Sequence, residues 1–420
     1  MKAIIMAAGK GTRLQPLTHT RPKVMIPIAG KPILQHVLEA CEKAGITEAG
    51  IIVKYLGKNI KEFFGKNFNN LKITYFEQGE KIGTGEALLS AEGFSDEFIL
   101  LAGDIVVDSK DLKKMIELAK DGKNIIGLKQ VSESEISNYG AVQVDEKRGK
   151  ARTIVEKPKK FSHKPLINTS VYALNGNIFE DLKKTKLSER GELELTNALN
   201  NYAKRNELDY HVLEEYWLDM GMPWHLLNAN EFLLKKVKKS VHESAVIENS
   251  VVKGEVVIEK GVKIMSSHIE GPAIIEENAE LGPHSYVRPY TVIGRECSIG
   301  DSTTVKNSIL MRGINAKHLA YIGDSIIGDE CNFGAATQIA NFRFDEGYIK
   351  AEVQGKVHVT LRKKFGCVIG DNTKTGVLSC IMPGKMIGDN CWIGAGTVVD
   401  FNVERNSNVY VKQNIIVKKK

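Results

Sequence analysis

From residue 246 onward, aliphatic side chains recur at every sixth position. Val246, Val252, Ile258 and Ile264 open the series. After one slip, Ile269, Ile275, Leu281, Val287, Ile293, Ile299 and Val305 continue it without a break. The register returns at Ile327, Phe333 and Ile339, and again at Ile369, Ile381, Ile387, Ile393 and Val399, with Ile-Gly-Asp triplets starting at 299, 322, 327, 369 and 387. A period of six fits neither the 3.6-residue turn of an α-helix nor the alternation of a flat strand. It fits a triangular β-solenoid in which each side takes one hexad and turns one aliphatic inward, so that neighbouring coils bury a continuous column. Residues 342–368 break phase and carry Gly347, Gly355 and the basic run Arg362-Lys363-Lys364. They are expected to form an excursion from one coil.

The first 210 residues or so follow another pattern. Short β-branched runs (Ile51-Ile52-Val53, Ile73-Thr74-Tyr75-Phe76, Phe98-Ile99-Leu100-Leu101) alternate with amphipathic stretches at 32–44 and 86–92. That alternation predicts an α/β unit, a mainly parallel sheet with helices on both faces, whose ligands bind at the carboxyl ends of the strands. A chain of 420 residues has room for two domains. The boundaries are expected at 1–228 and 241–420, joined by a basic linker helix within 229–240.

Composition narrows the function classes. Hydrophobic residues at 42% and charged residues at 26% describe a globular chain, and no apolar run approaches a membrane span. The apolar start, residues 1–8, is too short for a signal peptide and reads as a first strand, so a cytoplasmic protein with no membrane partner is expected. Six cysteines form no Cys-x-x-Cys pair, which argues against a zinc site or a disulfide framework. The net charge of +7 suits anionic ligands, but it is spread thinly and lacks the basic face with interleaved aromatics that nucleic acid would require. Lys418-Lys419-Lys420 is expected to be a solvated tail.

Two motifs fall directly after strands, the turn after Ile4-Ile5-Met6 and Gly103-Asp104 after Leu100-Leu101. Ala7-Ala8-Gly9-Lys10-Gly11-Thr12-Arg13-Leu14 follows the first, and its glycines let backbone N–H groups approach a phosphate while Arg13 adds a cationic fork. It is neither a P-loop nor a dinucleotide fingerprint, because no Gly-Lys-Ser/Thr follows and Leu14 stands where a third glycine would be needed. Gly9-x-Gly11-Thr12-Arg13 with Arg21-Pro22-Lys23 and the run to Pro32 resembles the signature of sugar-1-phosphate nucleotidyltransferases. Gln78 with Gly83-Thr84-Gly85, Leu101-Ala102-Gly103-Asp104, Glu156-Lys157-Pro158 and Trp217-Leu218-Asp219-Met220-Gly221 follow in the family's order.

The resemblance covers nearly all of residues 1–230 and implies a Rossmann-like nucleotidyltransferase domain. By residue-to-residue match it implies Asp104 and Asp219 as magnesium ligands, and Arg13, Lys23 and Lys157 on the triphosphate, the reacting α-phosphate and the sugar phosphate. Ala8, Gly9, Gly11, Thr12, Gln78, Gly83 and Thr84 would bind the nucleotide, and Gly140, Glu156 and Asn168 the sugar. Magnesium favours one or two carboxylates plus phosphate oxygens, which suits such a pair.

In the second half, Lys317-His318-Leu319-Ala320-Tyr321-Ile322-Gly323-Asp324, then Asn332-Phe333-Gly334-Ala335 and Asn341, is similar to the acetyltransferase half of the bifunctional glucosamine-1-phosphate acetyltransferase and N-acetylglucosamine-1-phosphate uridyltransferase family. The resemblance implies a left-handed parallel β-helix, acetyl-CoA as co-substrate and a homotrimer. It makes His318 the general base and the Ala335 N–H an oxyanion donor. Arg288 and Lys306 would bind the sugar phosphate, and Tyr321, Asn332 and Asn341 the amino sugar. The excursion at 342–368 is longer than in the bacterial members, and Val377 replaces a small polar residue, so Lys363 and Lys364 become the candidate acetyl-CoA contacts.

Three readings compete: an enzyme that acetylates an amino-sugar 1-phosphate and couples it to a nucleotide, a nucleotidyltransferase whose solenoid only oligomerises, and a non-catalytic scaffold. UTP and dTTP both suit Gln78, and gluco and galacto sugars are not distinguished.

Overall fold

The structure is a computed structural model describing residues 1–419; Lys420, at the end of the expected tail, lies outside the described residues. The chain divides into two compact units. Met1–Lys10, Pro22–Met25 and Pro32–Asp219 form the first; Gly11–Arg21, Ile26–Lys31 and the chain from Met220 onward form the second.

The first unit is built on a ten-stranded sheet. Its strands run in the order Gly140–Asp145, Lys150–Glu156, Leu208–Val212, Asn124–Gln130, Leu166–Asn175, Glu97–Ala102, Lys2–Met6, Glu48–Val53, Leu71–Glu77 and Asn67–Phe68. Lys2–Met6 lies parallel to both Glu48–Val53 and Glu97–Ala102, and Leu71–Glu77 extends that parallel half. The other half differs from the expected parallel order. Leu166–Asn175 runs antiparallel to its two neighbours, and residues 140–156 form a hairpin. A short turn can join only antiparallel strands, since a parallel pair needs a long crossover.

Alternation along each strand sends side chains to opposite faces. One face buries Ala3, Ile5, Ile51, Val53, Ile99 and Leu101 in the same core as residues of the helices Ile33–Lys43, Gly57–Phe64 and Ser109–Leu118. The other buries Ile4, Ile52, Phe98 and Leu100 with residues of Thr84–Leu89, Asn177–Lys184 and Leu195–Lys204. In Ile33–Lys43 the buried residues Ile33, Leu34, Val37, Leu38 and Cys41 recur at helical spacing, which gives the helix one apolar stripe.

The second unit is a three-sided parallel β-helix with sheets of eight, nine and eight strands. Partners in neighbouring coils stand 17 residues apart, as Val292 and Ile309, or 18, as Ala273 and Thr291. The hexad aliphatics from Ile258 to Val399 point into one continuous core. Val246 is the exception: it pairs with Lys263 and is exposed, while Ile247 aligns with Ile264. A turn shortened by one residue moves the inward position of that first coil by one.

The excursion leaves after Gln338–Ile339, forms an antiparallel hairpin from Lys350–Val353 and Lys356–Val359, and returns at Cys367–Ile369, where Ile326 pairs with Val368. The connecting helix spans Pro223–Leu234, earlier than the expected 229–240. Proline at its first turn lacks only an N–H that would have no intrahelical partner there. The segment Gly11–Arg21 joins this unit through the aspartates of the Ile-Gly-Asp triplets. Arg21 bonds Asp329 at 3.0 Å and also Asp371, Thr20 bonds Asp371 at 2.7 Å, and His19 meets Asp389.

All six cysteines are unpaired thiols, and burial pushes Cys41, Cys297 and Cys367 up to about 12. Among the described residues no helix is long and apolar enough to cross a membrane. Truncating the fully buried Ile322 to Ala is expected to cost about 2–5 kcal/mol of unfolding free energy, whereas Val246→Ala, on the exposed position, should cost within about 0.5 kcal/mol. Denaturant midpoints of the two variants check this difference.

Candidate active sites

In the first unit the chemistry gathers at the carboxyl ends of the central strands. Glu97–Ala102 ends in Gly103-Asp104, and Gly103 donates its N–H to Met6 O at 2.9 Å. A Cβ at Gly103 would stand 3.0 Å from that same carbonyl and 3.1 Å from Val24, so only glycine brings this turn so close to the first strand. The close approach places Asp104 against Lys23, which is 9% exposed and forms an ion pair with it. Ile105–Val107 continues from Asp104 and pairs antiparallel with Trp217–Asp219, with Asp219 opposite Ile105. The two expected magnesium ligands therefore stand on neighbouring strands, one position out of register.

The strand carrying Asp219 is held from behind. The buried Asp111 carboxylate accepts the backbone N–H groups of Glu214 and Glu215, each at 3.0 Å, and Trp217 Nε1 donates to Thr169 O at 2.9 Å. No group of three or more His, Cys, Asp or Glu side chains suited to a metal occurs among the described residues. A pair of carboxylates fits a divalent ion whose shell is completed by substrate oxygens, as magnesium prefers.

Ala8 and Gly9 follow the first strand, Gly9 exposed and with no atom within 4 Å of where a Cβ would stand. Gln78 N–H bonds Val53 O at 3.0 Å, and its side-chain amide donates to Lys81 O at 3.0 Å. Gly83 has φ of 129° and lies against Leu193, where a Cβ would approach the carbonyl oxygen to 2.2 Å. The Thr84 hydroxyl accepts the Leu195 N–H at 2.9 Å and keeps its own hydrogen to donate.

A second group lies around the hairpin. Gly140 pairs with Glu156, and the Lys157 N–H bonds Tyr139 O at 3.1 Å. Asn168 donates to the Tyr172 hydroxyl at 2.8 Å and accepts the Ser170 N–H at 3.0 Å, at the point where its strand shifts register. Burial pushes the Tyr172 phenol up to about 12. Glu156 stands exposed as a residue, yet its carboxyl is hemmed in by neighbouring atoms. That desolvation, with the charge of Glu194 second, raises its pKa.

Gly11, Thr12 and Arg13 belong to the second unit. Thr12–Leu14 is a single 3-10 turn, entered through Gly11 at φ of 62°, with Arg13 exposed and the Thr12 hydroxyl accepting from Gln354 at 2.7 Å.

On the β-helix, the coil ladder aligns the expected acetyl-transfer residues. Val287 pairs with Val305, and Lys306 with Gly323, so Arg288 and Lys306 stand one above the other on one sheet. Arg288 Nε is buried without a hydrogen-bond partner. Asn341 donates to the Tyr321 hydroxyl at 3.2 Å. His318 lies exposed at the corner before Tyr321–Gly323, and its carbonyl accepts the Ala336 N–H at 3.0 Å, which puts Ala335 at the same corner one coil on. Asn332 is exposed on the adjoining sheet. Lys363 and Lys364 lie exposed on the returning limb of the excursion, with Lys364 Nζ 5.8 Å from the Phe342 ring centre.

The pattern of the family described as "Nucleotidyl transferase" matches residues 2–236, and that described as "GMPPB C-terminal domain" matches 269–378. The chain belongs to the nucleotidyl transferase family. Over 421 residues, all of both chains, it is 43% identical to "Bifunctional protein GlmU" of Methanocaldococcus jannaschii. It is also 41% identical to "Bifunctional sugar-1-phosphate nucleotidylyltransferase/acetyltransferase" of Sulfurisphaera tokodaii, across 96% of this chain and 98% of the relative. A solved UDP-glucose pyrophosphorylase complexed with UDP-glucose superposes with a TM-score of 0.51 and 27% identity, over 56% of this chain and 98% of its own. This nucleotidyl transferase is thus similar along its whole length to proteins named for two activities.

Three residues of this nucleotidyl transferase were not singled out from the sequence: Asp111, Tyr172 and Asp324. Asp324 could have been found from its Ile-Gly-Asp triplet, the other two from no local signal. The raised Glu156 pKa has a stability consequence. Folding favours its protonated form, so that contribution is whole below the ordinary carboxylate range and is lost as pH rises through the raised value. Glu156→Gln is therefore expected to raise the melting temperature relative to the parent at about pH 8 and to lose that advantage near pH 4. Melting curves across this range give the comparison.

Proposed function

We propose that this chain acetylates an amino-sugar 1-phosphate, glucosamine 1-phosphate first among candidates, and then transfers a nucleotidyl group from UTP or dTTP to the N-acetylated product, releasing pyrophosphate. The observation that carries the second reaction is the ion pair of the buried Lys23 with the half-buried Asp104 at a strand end, beside the strand that bears Asp219. For the first it is the stacking of Arg288 on Lys306 and, two coils on, of His318 beneath Ala335. A relative matched along almost its whole length whose name states both activities, and a full-length one named bifunctional, support the reading.

In nucleotidyl transfer, an oxygen of the sugar phosphate attacks the α-phosphorus in line, and the bond to pyrophosphate breaks. The protein's task is to position two anions and offset their charge. Lys23 would meet the α-phosphate, Arg13 the triphosphate and Lys157 the sugar phosphate. Gln78 and Thr84 would read the base, with Gly83 giving the backbone close access, and Ala8, Gly9, Gly11 and Thr12 would bind the nucleotide. Gly140, Glu156 and Asn168 would hold the sugar hydroxyls. Asp104 and Asp219 would hold magnesium, which would supply charge neutralisation to the phosphates.

In acetyl transfer, the amine attacks the thioester carbonyl, the C–S bond breaks, and a proton leaves the nitrogen. Histidine changes protonation near neutral pH and so can take that proton; His318 is assigned this role and the Ala335 N–H stabilises the oxyanion. Arg288 and Lys306 would bind the sugar phosphate, Tyr321, Asn332 and Asn341 would orient the amino sugar, and Lys363 and Lys364 would contact acetyl-CoA. A cytoplasmic homotrimer accords with this reading.

Asp104→Asn should lower pyrophosphate release from UTP and N-acetylglucosamine 1-phosphate by about a hundredfold or more, leaving acetyl transfer unchanged. His318→Ala should do the reverse, with loss of acetyl transfer by about a hundredfold or more. Both reactions followed on each variant test the assignment; a chain that releases no pyrophosphate with any sugar 1-phosphate would refute it.

A further inference from the structure

The β-helix contains a buried carboxylate to which the reactions above give no role. Asp324 is 1% exposed, and its two oxygens face different partners. Oδ2 accepts from Asn341 Nδ2 at 2.5 Å and lies 3.3 Å from Lys306 Nζ. Oδ1 accepts from Asn307 Nδ2 at 2.8 Å and lies 3.6 Å from Arg362. The Oδ1 partners belong to the frame: Asn307 also bonds Glu231 at 2.9 Å, and Arg362 bonds Glu231 at 2.6 Å and Asn228. The Oδ2 partners are two of the residues assigned to the acetyl acceptor, and Asn341 passes the connection to a third, the Tyr321 hydroxyl.

We propose that Asp324 is a positioning residue of the amino-sugar phosphate subsite, fixing Lys306 and Asn341 through one carboxylate oxygen while the frame holds the other. The proposal rests on the acetyltransferase reading. A lysine on a four-carbon stem and a carboxamide in a later coil have no bonded reason to converge, and ordering them on binding would weaken affinity. A carboxylate withdrawn from water needs partners on both oxygens, and the same need places each donor. The charge balance suits an anionic ligand, because Lys306, Arg362 and Arg288 outnumber Asp324 and Glu231.

Acetyl transfer from acetyl-CoA to glucosamine 1-phosphate by the full chain tests this. Asp324→Asn should raise KM for glucosamine 1-phosphate about tenfold or more, with kcat within about threefold, KM for acetyl-CoA unchanged, and nucleotidyl transfer by the same sample intact. Combined with Lys306→Met, it should add little to the KM effect of Lys306→Met alone, as residues acting through one another do. An unchanged KM, full additivity, or a parallel fall in both activities overturns the proposal. Should the variant not fold, Asn307→Ala keeps Asp324 and removes one of its two Oδ1 partners, leaving Arg362 to hold that oxygen. KM within about twofold is then expected, and a tenfold rise would mean that the network merely holds the coil, which also overturns it. A parent chain without acetyl transfer refutes the underlying reading, whereas an active parent with an indifferent Asp324→Asn variant refutes this proposal alone.

Discussion

The parallel hydrogen-bond ladder of the β-helix, stepping 17 or 18 residues per coil, is the constraint on which the second unit depends. Each coil buries too little by itself, so its aliphatics must land directly above those of the coil before. Once the ladder fixes that stacking, outward residues at the same interval are stacked as well. Arg288 meets Lys306, and His318 falls beneath Ala335, through a register imposed by the core. Outward side chains of successive coils are thereby aligned without any loop having to find them.

The first unit solves the placement problem differently. Its strands alternate to serve two cores, which leaves their ends as the only places where backbone and polar side chains are not committed to packing. Lys23 and Asp104 meet there, largely withdrawn from water. A buried ion pair gives little net stability, because desolvation offsets much of the attraction. Its presence at a strand end is better explained by a ligand with a dense negative charge, to which a desolvated lysine is worth more than a solvated one.

How much of this could be read from the sequence depended on whether the cause was local. The hexads specified the column because burial in a repeat is periodic, whereas Asp104 and Asp219 were legible as a pair only through motifs that resemble the family's, Asp104 also by its place at a strand end. The inward register of the first coil was missed by one residue, at Val246 instead of Ile247, since a shortened turn leaves no mark in composition. The helix at Pro223–Leu234 was set too late because the basic run after it resembled its last turn. Asp111 and Tyr172 owe their roles to partners far along the chain or to burial, which no spacing encodes, whereas Asp324 stands in an Ile-Gly-Asp triplet whose partners alone had to come from the fold.

The excursion shows how a departure from the repeat can still serve it. It is inserted between two coils whose ladder stays intact, Ile326 pairing with Val368, and it adds a hairpin of its own. Thr360 bonds Ile349 O at 2.8 Å, Arg362 reaches Glu231 and the buried Asp324, and the Gly366 N–H bonds Asp324 O at 2.9 Å, so the returning limb is fixed by side chains as well as by backbone. Asn341, the last residue before the hairpin begins to leave, is held by that same Asp324. One carboxylate therefore secures both ends of the interruption, and the longest break in the repeat sits beside the residues that most need to be still.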